Sequence, residues 1–137
     1  MTALVVLGRL GNQPVAFAAE EIEAAVDLGP VVPVPLAPPH FRGLAAVRSQ
    51  VLTVIDAGLA VGEAPAAGMR ALVVDVEGHR YALLVDAVDE VVMPDEQHPA
   101  AAAPLGARWS GAAKGMVQAG GALHLLLSPT GLISGVP

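Results

Sequence analysis

Glycine and proline divide this chain into short apolar segments, and that division constrains the fold more than any other feature. The 137 residues include 15 glycines and 12 prolines. Proline fixes φ and lacks an amide hydrogen, whereas glycine permits the sharp turns that connect strands. The apolar segments between them are short and regularly spaced, as is typical of strands. The sequence therefore predicts a mainly β protein, arranged as a sandwich or a barrel.

Four strand pairs are predicted, because in each case two apolar segments flank residues that favour a turn. The predicted pairs are 3–9 with 14–18, 44–47 with 51–56, 71–76 with 81–85, and 116–118 with 123–127. Two further short strands are expected, one over 89–93 and one at a sheet edge over 31–36. In the second of these, prolines favour an extended backbone.

Helices are expected to be few and short. Residues 19–26 combine helix-forming residues with acids in the first turn, where acids complement the helix dipole, and a Gly-Pro pair follows. Ser128-Pro129 predicts the N-cap of a second short helix. The Ala-, Gly- and Pro-rich residues 58–69 are expected to be a connection within a single domain that covers 1–137, and 94–106 a loop.

Composition excludes several classes of function. The net charge is −6 with few aromatic residues, which argues against a nucleic-acid partner. Because the chain has no cysteine, it has no disulfide or thiolate metal site, and the cytoplasm is the expected location. Only 15% of the residues are charged and 54% are apolar, but glycine and proline interrupt the longest charge-free segment, so we expect no membrane insertion. A partly apolar surface that binds protein partners is expected instead.

Two aspartates at predicted strand ends are the strongest candidates for catalysis. Asp56 and Asp86 each follow two apolar residues and precede an alanine. The sequence around Asp56 resembles the Asp-Thr/Ser-Gly motif of aspartic proteases, in which two carboxylates share a proton, but Ala57 replaces the hydroxyl residue. The alternative is that each aspartate ends a buried strand and accepts hydrogen bonds from turn amides.

Other residue types lack the spacing of a catalytic, metal or cofactor site. The histidines have no second ligand at the spacing of a helical metal site, and no serine lies in a Gly-x-Ser-x-Gly sequence. These residues are His40, His79, His98 and His124, and Ser49, Ser110, Ser128 and Ser134. We therefore expect no catalytic residue, no metal and no cofactor.

Arg48 lies at the turn between Ala45-Ala46-Val47 and Val51-Leu52. An arginine at a hairpin turn is usually just solvated. In this setting the long cationic side chain could lie over an apolar surface formed by its neighbours. Its apolar stem and planar donors would then suit recognition of a partner. The residues alone leave both interpretations open.

The order of several short motifs resembles the CheW-like family of chemotaxis coupling proteins. Each motif is weak alone, but their order and spacing are specific and extend through nearly the whole chain. The motifs are Glu21-Ile22-Glu23, Val34-Pro35, Pro38-Pro39-His40-Phe41-Arg42-Gly43, Val47-Arg48, Val54-Ile55-Asp56, Leu84-Val85-Asp86-Ala87-Val88-Asp89-Glu90-Val91, Lys114-Gly115-Met116 and Leu125-Leu126-Leu127.

The resemblance implies two small five-stranded β-barrels that share a core, with one or two short helices. It also implies a non-catalytic adaptor that joins the cytoplasmic tip of a methyl-accepting chemoreceptor to the regulatory domain of the chemotaxis histidine kinase, in receptor arrays at the inner membrane. In this family the receptor tip, a helical hairpin, lies in a groove between the barrels, and the kinase binds a separate surface. By motif, the receptor-binding positions are Ile22, Gly43 and Arg48.

The chain departs from the family at the arginine turn. The family's Asn-Leu-Arg-Gly is Ala46-Val47-Arg48-Ser49 in this sequence, so a glycine that favours the turn is replaced. A residue other than glycine at positive φ costs ~1 kcal/mol or more. We expect the turn to present Arg48 differently and so to affect receptor choice. The alternative function is an adaptor of the same fold in a non-motility kinase pathway.

Overall fold

The computed structural model describes residues 3–99 and 107–134, and in these residues the chain is mainly β. The predicted fold class is confirmed, including all four predicted strand pairs. The described strands are β1 (Val5–Leu10), β2 (Gln13–Ala18), β3 (Ala24–Asp27), β4 (Phe41–Val47), β5 (Gln50–Asp56), β6 (Arg70–Val76), β7 (His79–Leu84), β8 (Ala87–Val92), β9 (Glu96–His98), β10 (Ala113–Ala119) and β11 (Ala122–Leu127). The helical segments are a 3-10 turn (Ala19–Glu21), α1 (Ala57–Ala60), α2 (Ala107–Ala112) and α3 (Pro129–Ser134).

Both sheets are built in the same way, from two hairpins joined by a central parallel contact. In the first sheet the order is β8-β1-β2-β11-β10-β9, and β2 pairs with β11 in parallel. In the second the order is β3-β6-β7-β5-β4, and β5 pairs with β7 in parallel. The first sheet therefore has six strands where the resemblance implied five, because β9 adds a strand beside β10.

The two sheets share one core, as the resemblance implied. Both sheets and α3 contribute fully buried side chains to it, among them Leu10, Val15, Phe17, Ile55, Leu72, Leu83 and Leu132. Because side chains alternate along a strand, Val54 and Leu84 point to the opposite face of the second sheet and pack in a second cluster. Burial of a side chain of this size contributes about 1.5–3 kcal/mol relative to exposure.

The helix predicted over 19–26 is wrong. The chain makes only the 3-10 turn over Ala19–Glu21 and then enters β3, which pairs with β6. A short isolated helix is unstable, whereas a strand at this position gains a ladder of hydrogen bonds. It also places Ala24 and Val26 against the second apolar cluster.

Of three other segments with a predicted structure, two differ from the prediction and one agrees with it. The edge strand predicted over 31–36 is reduced to a single bridge at Val32, because the prolines that follow lack amide hydrogens. Part of the loop predicted over 94–106 is β9, and residues 100–106 lie outside the described part of the chain. The predicted N-cap is confirmed, since Ser128 Oγ accepts a hydrogen bond from the Gly131 amide at 3.3 Å.

The bridge at Val32 pairs the chain with the β4 edge of the second sheet. The Val32 amide donates to Leu44 of β4 at 2.8 Å, and the Leu44 amide donates back at 2.9 Å. Gly43 makes this approach possible, because a Cβ at position 43 would lie 2.1 Å from the Val32 carbonyl oxygen. Its φ of +137° also disfavours other residues.

The turn between β4 and β5 contains only Arg48 and Ser49, since Val47 pairs with Gln50. Their φ angles are +50° and +67°. Positive φ at both central positions is the pattern of a type I′ turn, which usually contains asparagine and glycine. Ser49 therefore occupies a left-handed conformation that glycine adopts without steric cost, as the sequence departure suggested.

Gly43→Ala is expected to lower the free energy of unfolding by about 3 kcal/mol, because the methyl group would displace Val32 and the backbone would be strained. Urea denaturation measures the loss. Gly29→Ala is the matched control, since no atom lies within 4 Å of the added methyl. Equal stability of the two variants would contradict the steric role of Gly43.

Ser49→Gly is expected to raise the free energy of unfolding by about 0.5–1 kcal/mol, because relief of the left-handed strain exceeds the added freedom of the unfolded chain. Thermal unfolding measures the gain. The control is Asn12→Gly in the exposed β1–β2 turn, where φ is not positive and no strain is relieved. A gain for Asn12→Gly as large as for Ser49→Gly would argue against this explanation.

Candidate functional site

A groove of about 300 Å³ lies beside the Arg48 turn, at the second sheet alone and not between two barrels, where the resemblance placed the receptor groove. Its apolar residues come from β3, β4, β5 and β6, and its polar residues lie around them. The apolar residues are Ala24, Val26, Val47, Leu52 and Val73, and the polar residues are Glu23, Arg48, Gln50 and Arg80. Because β3 and β4 are opposite edges of the second sheet, the sheet must curl to bring both to one groove.

Arg48 is the polar residue best placed to contact a partner. Its side chain is exposed, and no hydrogen bond or ion pair joins it to another residue within 3–99 or 107–134. The β4–β5 turn holds it beside the apolar side chains of Val47 and Leu52. An arginine in this position offers its planar donors to a partner while its apolar stem covers the groove.

Arg80 differs from Arg48 because it already has partners. Its Nε lies 3.1 Å from Glu23 Oε1, and its Nη1 donates to Gln50 Oε1. The guanidinium thus connects the residue before β3 to the first residue of β5. The charges of Glu23 and Arg80 compensate each other, which leaves Arg48 as the groove's uncompensated charge.

Of the three predicted receptor-binding residues, only Arg48 lines the groove. Gly43 is buried beneath the Val32 carbonyl, and its position serves the fold. Ile22 is half-buried and packs against the shared core, next to Glu23 of the groove. The sequence interpretation missed Glu23, Gln50 and Arg80, because polar residues distant in the chain reveal no pairing until β3, β5 and β7 are aligned.

Asp56 and Asp86 make structural contacts, which confirms the second of the two sequence interpretations. Asp56 is fully buried, and its carboxylate accepts hydrogen bonds from the amides of Leu59 and Ala66 at 3.1 to 3.2 Å. It also forms an ion pair with Arg42 at 3.0 Å. These bonds occupy both oxygens of Asp56 with protein donors.

Asp86 connects parts of the chain that are far apart in sequence. One oxygen accepts a hydrogen bond from the Ala67 amide at 2.6 Å, and the other accepts from the Gly11 amide in the β1–β2 turn. The prediction that the aspartates bind turn amides is therefore confirmed, and the donors come from neighbouring turns.

Neither a metal-ligand cluster nor a membrane-spanning helix occurs within the described ranges. In residues 3–99 and 107–134, no group of three histidine, aspartate or glutamate side chains could hold a metal ion. The helices of this part of the chain are all too short to cross a membrane.

Comparisons with known proteins agree with the architecture. A family model described as the CheW-like domain matches residues 4–136. Among solved structures, the scaffolding protein TtCheW from Thermoanaerobacter tengcongensis has a TM-score of 0.80 and 19% identity, covering 93% of this chain and 90% of that one. A search of curated proteins found no significant match. Because the family model covers nearly the whole sequence, this chain belongs to the CheW-like domain family.

Proposed function

We propose that this protein is a non-catalytic adaptor that couples the cytoplasmic tip of a chemoreceptor to a chemotaxis histidine kinase. The observation that carries the proposal is Arg48, an exposed cation without an ion-pair partner in the described residues, held beside an apolar groove. Membership in the CheW-like domain family supports the same role. The adaptor would act in the cytoplasm, in receptor arrays at the inner membrane.

The groove suits an amphipathic helix of the receptor tip. Helices bind such surfaces by placing apolar side chains in the groove, while charged residues at the edge fix their orientation. Here the half-buried Ala24, Val26 and Val47 supply apolar surface, and Arg48 supplies the charge. Arginine is enriched at protein interfaces because its stem and its planar head contact apolar and anionic groups together.

A catalytic role has no support from the two aspartates that suggested one. An aspartic protease needs two carboxylates that share a proton and remain accessible to substrate. Asp56 is instead fully buried and paired with Arg42, and Asp86 is bonded to two backbone amides. Both are better explained as parts of the scaffold, which agrees with an adaptor.

Arg48→Ala is expected to weaken binding of a receptor-tip helical hairpin fragment by about 2 kcal/mol, or about 30-fold, because an interface arginine loses both its charge and its packing. An arginine at the interface rim would contribute only ~0.2–1 kcal/mol. Titration calorimetry measures the difference. Arg9→Ala is the control, since Arg9 is exposed on β1 and does not line the groove. Unchanged affinity of Arg48→Ala would refute the role of the groove.

Affinity capture from a native lysate, with bound proteins identified by mass spectrometry, is expected to recover a receptor and a kinase together. Arg48→Ala should retain the kinase and lose the receptor, because the kinase is proposed to bind a different surface. Recovery of a kinase without a receptor by the unmodified protein would favour the adaptor of a non-motility pathway. Recovery of neither would contradict both adaptor functions.

A further inference from the structure

We propose that Arg80 is a positioning residue for Arg48, an inference that rests on the proposed receptor-binding function of the groove. Arg80 lies in β7 and bonds to residues near two other strands. Its Nε is 3.1 Å from Glu23 Oε1, and its Nη1 donates to Gln50 Oε1. Gln50 directly follows the β4–β5 turn, so Arg80 connects the β3 side of the groove to the residue that closes the turn.

The Arg48 turn needs such a contact because its own residues do not favour its backbone conformation. Arg48 and Ser49 are both at positive φ, and neither is glycine. A left-handed conformation costs roughly 1–2 kcal/mol for such a residue and persists only where the surrounding structure fixes it. The hydrogen bond from Arg80 holds the Gln50 side chain and thereby restricts the end of the turn.

Arg80 also sets the shape of the groove. It lines the groove beside Arg48 and a second depression of about 400 Å³ that extends toward Val51 and Gly78. Gln50 and Leu52 line both depressions as well. The guanidinium of Arg80, held at Glu23 and Gln50, therefore belongs to a side chain that borders both depressions.

The pairing of Arg80 with Glu23 determines which charge the groove presents. With Arg80 in place, the Glu23 carboxylate has an internal partner and Arg48 is available to an anionic group. Without Arg80, Glu23 becomes an unpaired carboxylate in the same groove and competes for Arg48. A guanidinium without an internal partner favours an anionic group, so the partner group that we infer for Arg48 is a carboxylate on the receptor helix, and Arg80 keeps Arg48 free for it.

The test is the affinity of the full chain for a receptor-tip helical hairpin fragment, measured by titration calorimetry. Arg80→Gln is expected to weaken binding about tenfold, the effect of losing about 1.4 kcal/mol. Arg70→Gln is the matched control, because Arg70 also pairs with a carboxylate at the end of β3, at 3.3 Å from Asp27, but does not line the groove. The two arginine side chains are similarly exposed, at 42% and 41%. An equal effect of the two variants would overturn the inference.

A double-mutant cycle separates positioning from direct contact with the receptor. If Arg80 acts through Arg48, Arg80→Gln has no further effect in the Arg48→Ala protein. If the affinity of the double variant falls by the product of the two single-variant factors, the two arginines contact the receptor independently. That result would overturn the positioning role. If Arg48→Ala alone binds as tightly as the unmodified chain, the proposed function fails before Arg80 is considered.

Hydrogen exchange gives a readout in the absence of receptor. The Ser49 and Gln50 amides are expected to exchange faster in Arg80→Gln than in Arg70→Gln, while amides of the shared core remain unchanged. Retained core protection also shows that the variant is folded. Identical exchange of the turn amides in both variants would mean that Arg80 does not restrict the turn.

Discussion

The hydrogen bonds of two strand-end carboxylates hold the molecule together where its two sheets meet. Because β5 and β7 are parallel neighbours, they end at the same side of the second sheet, and Asp56 and Asp86 follow there. The consecutive amides of Ala66 and Ala67 donate to Asp56 and Asp86 respectively, so one short segment is fixed at both strands. Asp86 also accepts from the Gly11 amide of the first sheet. Asp56 is fully buried, and a buried carboxylate is tolerated only with such donors, so the fold needs the bonds of Asp56 in particular.

The same contacts determine the position of the groove. Arg42 at the start of β4 pairs with the buried Asp56, next to the irregularity in β4 that places Gly43 beneath Val32. A slip of one residue in a strand would turn every side chain to the opposite face. Val47 would then leave the groove, and the turn that carries Arg48 would move with it. The Arg42–Asp56 ion pair thus joins β4 and β5 at the end of the hairpin opposite the turn that carries Arg48.

Local sequence signals predicted the hairpins. The parts of the structure that depend on contacts between distant residues could not be predicted in this way. The four strand pairs were predictable because apolar segments flank short turns, and the left-handed turn was predictable from Ser49 in place of glycine. Residues 19–26 have helical composition, but pairing of β3 with β6 outweighs that local preference. The Glu23–Arg80 pair joins residues 57 positions apart, and the short β9 carries no strand-like composition. Arg48 was a candidate from its place at a predicted turn, and the family motif, not the residues alone, made it a predicted receptor-binding position.

In the proposed complex, local geometry matters more than net charge. The chain carries a net charge of −6, which repels an acidic receptor helix at long range. Ions screen that repulsion beyond about 8–10 Å at physiological salt, whereas a contact between Arg48 and a carboxylate is much shorter. Recognition then depends on where the turn places one guanidinium and on whether Glu23 competes for it. Substitutions that change the Glu23–Arg80–Gln50 contacts would therefore alter receptor choice without changing Arg48, and this gives a divergent family member a route to a different partner.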